Sequence, residues 1–214
     1  VSYTGGYITK KKSRESESFV WMSDAAGGTG SREGVIYAGG MWDFARNDGY
    51  LRMDEQYAVD VFNTFYVDGK VPIAIDDRTA LTLGAQYYPQ GSVGDEQIGS
   101  FSTYGMGLQA ALAHGPVGVQ LYYTQTGKGY DTQSPFGDHA SYLNLMQVAF
   151  NTAGEKAWGI GGNVDFRDLG VPGLTAAAVY ADGRDRINSQ TGAAIPDRYE
   201  TNVRVDYAVG KGTI

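Results

Sequence analysis

The strongest constraint on this chain is an alternation of apolar and polar residues at a period of two, repeated in segment after segment. No apolar run reaches the ~18 residues that a membrane-crossing helix needs. The pattern is clearest over residues 198–209. There Tyr199, Thr201, Val203, Val205, Tyr207 and Val209 fall on one side, and Arg198, Glu200, Asn202, Arg204 and Asp206 on the other. Successive side chains of a strand point to opposite faces, so such a segment is a ribbon with one apolar and one polar face. One ribbon of this kind also fits a soluble antiparallel sheet, and the decision rests on the series.

The series is long. Residues 1–9 read as a strand, and 10–32 as a polar loop holding a mixed-charge run and a short apolar piece, Phe19 to Met22, expected to add a little structure inside it. A strand over 33–44 reaches a tight turn at Arg46-Asn47-Asp48-Gly49, where Asp-Gly is a hairpin signal. The return strand, 50–59, places Leu51, Met53, Tyr57 and Val59 on one face and Arg52, Asp54 and Gln56 on the other, with Glu55 interrupting the apolar side. Strands over 61–75 and 78–88 meet at Asp76-Asp77, and Pro72 predicts a bend or bulge in the first. A polar loop over 89–99 precedes strands 100–113 and 117–126, which join at His114-Gly115-Pro116. Residues 127–154 are the one long interruption. Strands over 155–166 and 174–183 follow, then a loop over 184–197 and the last strand. The result is about ten strands whose connections alternate short and long, the layout of an outer-membrane barrel with short turns at one end and long loops at the other.

Composition agrees. Sixteen Tyr and 31 Gly against six Pro favour a sheet with aromatic belts and tight turns. Trp42, Tyr57, Tyr87, Trp158, Tyr199 and Tyr207 fit girdles at the two membrane interfaces. With 17 basic against 24 acidic residues, the net charge of −7 argues against nucleic acid as a partner. There is no cysteine, hence no disulfide framework and no thiolate metal site. His114 and His139 lack ligand spacing, no Gly-x-Ser-x-Gly elbow occurs, and the glycine clusters at 27–30 and 159–162 open no helix that would bind phosphate. The expectation is therefore a protein that is not an enzyme and carries neither cofactor nor metal. Two other readings stand beside the barrel channel: a soluble antiparallel β-sandwich for binding or adhesion, and a barrel enzyme with its chemistry on the long loops.

Glu155-Lys156-Ala157-Trp158, the turn Leu169-Gly170-Val171-Pro172-Gly173-Leu174-Thr175 and the strand at Glu200-Thr201-Asn202 resemble the OprD family of bacterial outer-membrane porins, as does the hairpin spacing from Ile36 to Ile75. The resemblance covers nearly the whole chain. It implies an all-β, antiparallel transmembrane β-barrel of eighteen strands, of which residues 1–214 hold about ten, roughly the seventh to the sixteenth, with the barrel incomplete at both ends. It further implies a monomeric channel in outer-membrane lipid that takes up small charged solutes, basic amino acids or peptides or small carboxylates. The passage would narrow at an inward-folded loop, residues 127–154.

Asp138 then matches an acidic residue beside the constriction, the alternative being a solvated loop carboxylate. Tyr122, on the polar face before the loop, supplies a hydroxyl to the passage or is a plain wall residue. In the family a ladder of basic residues guides anionic groups, and Arg204 is its first candidate here. Asp206 stands where a basic residue is expected. Because acids interleave with arginines among Arg198, Glu200, Asn202, Arg204 and Asp206, self-neutralising cross-strand pairs are expected. Arg52 and Asp54 are expected in the polar wall of a water-filled interior.

Overall fold

The computed structural model describes residues 1–12, 17–28, 31–44, 49–137 and 141–208. The chain runs β1 (Ser2–Ile8), β2 (Lys10–Lys11), β3 (Val20–Trp21), the single-turn helix α1 (Met22–Ala25), β4 (Val35–Asp43), β5 (Tyr50–Ala58), β6 (Phe62–Ala74), β7 (Thr79–Ser92), β8 (Ser102–His114), β9 (Val117–Thr126), β10 (Lys156–Asp165), a 3-10 turn (Phe166–Leu169), β11 (Leu174–Arg184) and β12 (Arg198–Tyr207). Ten of these strands form one sheet in the order β1-β4-β5-β6-β7-β8-β9-β10-β11-β12, every neighbouring pair antiparallel. Among the described residues no helix is long and apolar enough to cross a membrane.

The period-two pattern sets the register. One row of paired positions runs through Ser2, Met41, Arg52, Asp68, Gln86, Gly107, Thr124, Ala157, Gly183 and Arg198. The adjacent row begins Trp42, Leu51, Gly69, Ala85, Leu108, Tyr123 and Trp158. The first row lies on the polar face and the second on the apolar face. A slip of one residue in any pairing would exchange them, so burial of one face fixes the whole ladder.

The faces are inverted relative to a soluble sheet. Trp42, Tyr87, Leu121, Trp158 and Val203 of the apolar face are exposed, Val203 to 73%, whereas Asp68, Gln86, Gln90, Thr124, Glu155 and Glu200 are buried on the other side. A contiguous exposed apolar face of this size needs lipid against it. A β-sandwich would bury that face, and the sandwich reading fails on this point.

The two prolines behave differently from the sequence reading. β7 continues through Pro89, where a loop is expected, because Pro89 pairs with Tyr104 of β8. On the β6 side the ladder is interrupted between Thr64↔Gln90 and Val67↔Tyr87 with no change of register, as a residue without an N–H requires. Pro72 introduces no bulge, since Pro72↔Thr82 belongs to an unbroken run. The apolar piece from Phe19 to Met22 adds structure between β1 and β4, as expected, in the form of β3 and α1. Met22 and Ala26 of the α1 turn join Val35, Ala58, Val61, Phe62 and Phe101 in a buried cluster at the end of the sheet that carries the long connections.

That end holds connections 9–34, 59–61, 93–101, 127–155 and 185–197, and the opposite end 44–49, 75–78, 115–116 and 166–173. The connection at 59–61 is the short exception, with Asp60 at a φ of 60°. The turn expected at residues 46–49 lies largely outside the described residues.

Candidate pore-lining site

The segment 127–155 does not extend away from the sheet. Its described residues, 127–137 and 141–155, lie across the polar face, and glycines in the strands make room for them. A Cβ at Gly84 would stand 2.7 Å from the Tyr142 hydroxyl, one at Gly107 3.0 Å from the Tyr142 ring, one at Gly159 2.8 Å from a Leu143 methyl, and one at Gly183 2.6 Å from the Phe150 ring. Glycine inside a strand commonly marks this kind of close approach. Leu143 and Phe150 are buried with Ala157 and Ala181, and Tyr122, Leu145 and Val148 pack around them. The burial of apolar side chains on a polar face is thus local to the crossing segment.

Hydrogen bonds fasten the segment at several points. The Gln90 amide donates to the Gln133 carbonyl and accepts from the Gln133 N–H, both at 2.7 Å. Thr103 Oγ1 donates to the Tyr130 carbonyl at 2.7 Å, and within the segment itself Asp131 accepts from the Ala153 amide at 2.7 Å. Phe136 stacks on Phe62 with ring centroids 5.9 Å apart. Glu200 accepts from the backbone amides of Gln147 and Val148, the latter at 2.7 Å. Between residues 133–137 and the wall remains a cleft of about 310 Å³, bounded by Tyr37, Arg52, Asp54, Tyr66, Tyr88 and Gln90 among others.

The wall charges are organised in two groups. In the first, Arg52 Nε meets Asp68 Oδ1 at 2.7 Å and Asp54 Oδ2 at 3.3 Å, while Tyr50 donates to Asp68 at 2.8 Å and Tyr37 to Asp54 at 3.0 Å. Arg52 also lies over the Tyr66 ring, 5.0 Å from its centroid. In the second, Arg198 donates from Nε to Glu155 at 2.8 Å and from its terminal nitrogen at 2.5 Å, and stands over the Phe150 ring. Arg186 approaches the same carboxylate at 3.8 Å. Burial, with Arg198 alongside, holds the Arg186 guanidinium below its ordinary pKa. Burial and the Asp68 carboxylate push the Tyr142 hydroxyl upward, and among the described residues that hydroxyl has no hydrogen-bond partner.

The structure brings Arg52 and Asp54 together, and Arg198 and Glu200 to the crossing segment. It leaves Arg204 exposed, paired with Asp206 of its own strand at 2.7 Å. Asn202 faces Val179 across the ladder and is partly exposed. Tyr122 packs against the cluster around Leu143. Asp138 and His139 lie outside the described residues. Among the described residues, the cross-strand neutralisation expected along β12 is absent on the side of β11, the one neighbour it has here. The neighbouring β11 positions are Gly183, Ala181, Val179, Ala177 and Thr175, which carry no charge. Because Gly183 has no side chain, Arg198 reaches across β11 to Glu155, and Glu200 turns its carboxylate to backbone amides instead. Glu155, Asp68, Gln90 and Tyr142 were not singled out from the sequence. The usable signal was the series of small residues on the polar face, Ala157, Gly159, Gly161, Ala181 and Gly183, which marks where a segment must lie close.

An antiparallel sheet with its apolar face exposed, its polar face charged and its longest connection laid over that polar face defines the wall of a transmembrane β-barrel of the porin type. The chain belongs to the OprD family: the profile described as outer membrane porin, OprD family, matches residues 1–214. It is 26% identical over 136 residues to Porin D of Pseudomonas aeruginosa, covering 59% of this chain and 31% of that protein. Its fold matches that of Pseudomonas aeruginosa OpdK solved with vanillate, with a TM-score of 0.87 at 21% identity over 98% of this chain and 56% of that one. It also matches Pseudomonas aeruginosa OpdG, with a TM-score of 0.87 at 17% identity over 98% of this chain and 54% of that one. The chain therefore spans about half the length of these solved relatives. Family membership places it in the bacterial outer membrane, with lipid against the exposed apolar face.

Proposed function

We propose that the protein is a passive, substrate-selective channel for small charged solutes, and that the segment 127–155, seated on the polar face of the sheet, narrows the passage that runs past it. The observation that carries this reading is the fastening of that segment across the charged wall by Gln90, Thr103, Arg198 and Glu200. A constriction that stays narrow needs such anchors, and selectivity follows from its width and from the charges beside it. Arg52 and Asp54 border the cleft left open beside residues 133–137, Arg204 and Asp206 line the wall beyond, and Tyr122 supports the crossing segment from below. This arrangement offers both signs of charge, as a route for basic amino acids or small carboxylates requires. Because OpdK, which shares this fold, was solved with vanillate, a small aromatic carboxylate is a first substrate to try. We take the channel to work as a monomer, without a catalytic step, in keeping with a porin family.

Liposome swelling tests the reading. Vesicles containing the protein are placed in isosmotic arginine, benzoate or an uncharged sugar of similar size. Faster swelling in one charged solute than in the sugar is expected; equal rates for all three would contradict selectivity, and no swelling at all would contradict a channel.

A further inference from the structure

The channel reading leaves unused a set of charges on the outward face, at the long-loop end of β10 and β11. Lys156 and Arg184 are register partners there, each the last position of its strand at that end. Lys156 pairs with Asp185 at 2.8 Å, and Arg184 with Asp182 at 2.6 Å. Lys128 is a third cation, close enough to act on Asp185. Just inside these charges the rings of Trp158, Tyr180 and Tyr199 follow one another at 5.5 and 6.3 Å, and the Tyr180 hydroxyl donates to Asp182 at 3.4 Å.

We infer that this rim binds the phosphate of an outer-membrane lipid headgroup. Aromatic rings mark the edge of the hydrocarbon. A strand advances about 3.3 Å per residue, so the two-residue step from Trp158 puts Lys156 no more than about 7 Å to the water side of that edge, where lipid phosphates lie. The three cations stand among Asp182, Asp185 and Asp197, and the Lys156 and Arg184 side chains are still 49% and 63% exposed. Exposed ion pairs contribute little to stability, so either cation exchanges its carboxylate for a phosphate at small cost. A guanidinium fork also matches two phosphate oxygens. Lipid is the occupant rather than a free anion because the ring chain continues directly from the charges onto the apolar face, giving acyl chains a surface that inorganic phosphate cannot use. The inference rests on the membrane location and not on the channel reading.

Native mass spectrometry of the detergent-solubilised protein tests it, with diphosphorylated lipid A and its dephosphorylated form as probes. The Lys156→Gln/Arg184→Gln double variant is expected to retain lipid A about fivefold less than the parent, and the parent to retain dephosphorylated lipid about fivefold less than lipid A. A charge-matched Arg78→Gln/Arg167→Gln control at the opposite end is expected to bind as the parent does. Equal retention by parent and double variant would overturn the inference, as would displacement of lipid A by excess inorganic phosphate, which indicates a site for a free anion. Heat-modifiable migration on gels verifies folding. Should the double variant fail to fold, Lys156→Gln alone and Arg184→Lys answer the same question.

Discussion

Arg198 reaches across β11 to Glu155, whose side chain is wholly buried, so the first residue of β12 holds the junction between the crossing segment and β10. Glu155 also accepts from the Thr152 amide at 2.9 Å. Removing Arg198 leaves a buried carboxylate without its main counter-charge, a loss of about 3–5 kcal/mol for such pairs. Arg198→Ala is expected to lower the unfolding temperature of the detergent-solubilised protein markedly, and Arg198→Ala/Glu155→Gln to recover part of the loss. An unchanged midpoint for Arg198→Ala would contradict the anchoring role.

Glu200 anchors the middle of the segment by accepting from two backbone amides. Hydrogen bonds to a charged group contribute about 1.5–3 kcal/mol each. Glu200→Ala is therefore expected to loosen residues 142–150 while leaving the strands intact. Limited proteolysis should show faster cleavage in that segment, and single-channel recording a larger and noisier conductance.

The glycines beneath the segment test its seating independently. At Gly159 a Cβ would meet a Leu143 methyl at 2.8 Å and the Tyr180 carbonyl at 3.2 Å. Overpacking of this kind costs about 1–3 kcal/mol. Gly159→Val is expected to push the segment off the wall into the passage and lower conductance, whereas Gly162→Val, on the outward face with nothing closer than 3.7 Å, should not.

At the short-turn end, Asp76 accepts from the Arg78 amide at 2.8 Å, and that hydrogen bond holds its carboxyl below the ordinary value. A depressed folded pKa means a contribution fully present above the unfolded value, about 3.9, and lost as pH falls through the folded one. Unfolding midpoints of the parent and Asp76→Ala should differ near neutrality and converge in acid. A gap that widens in acid would reverse the sign.

The strands and their two faces were legible because lipid on one side and water on the other force strict alternation, which Arg198 to Tyr207 shows most plainly. Pro89 misled because a residue without an N–H can remain paired on one side of a strand only. The short ordered piece around Met22 was legible as an apolar run, but its packing partners Phe62 and Phe101, distant in sequence, were not. The outlook of Arg198 and Glu200 toward the polar face was readable, but their partners were not. Glu155, Gln147 and Val148 reach them only because the segment crosses the face, a consequence of contacts at Gly84, Gly107 and Gly159 that no period reveals.

The most direct test of the central claim is single-channel recording of the protein in a planar bilayer, with arginine or a small aromatic carboxylate added to one side. Discrete conductance steps, blocked by one of the two solutes and enlarged by Glu200→Ala, are the predicted result. A protein that inserts but gives no steps, or whose steps neither solute blocks, would contradict the account.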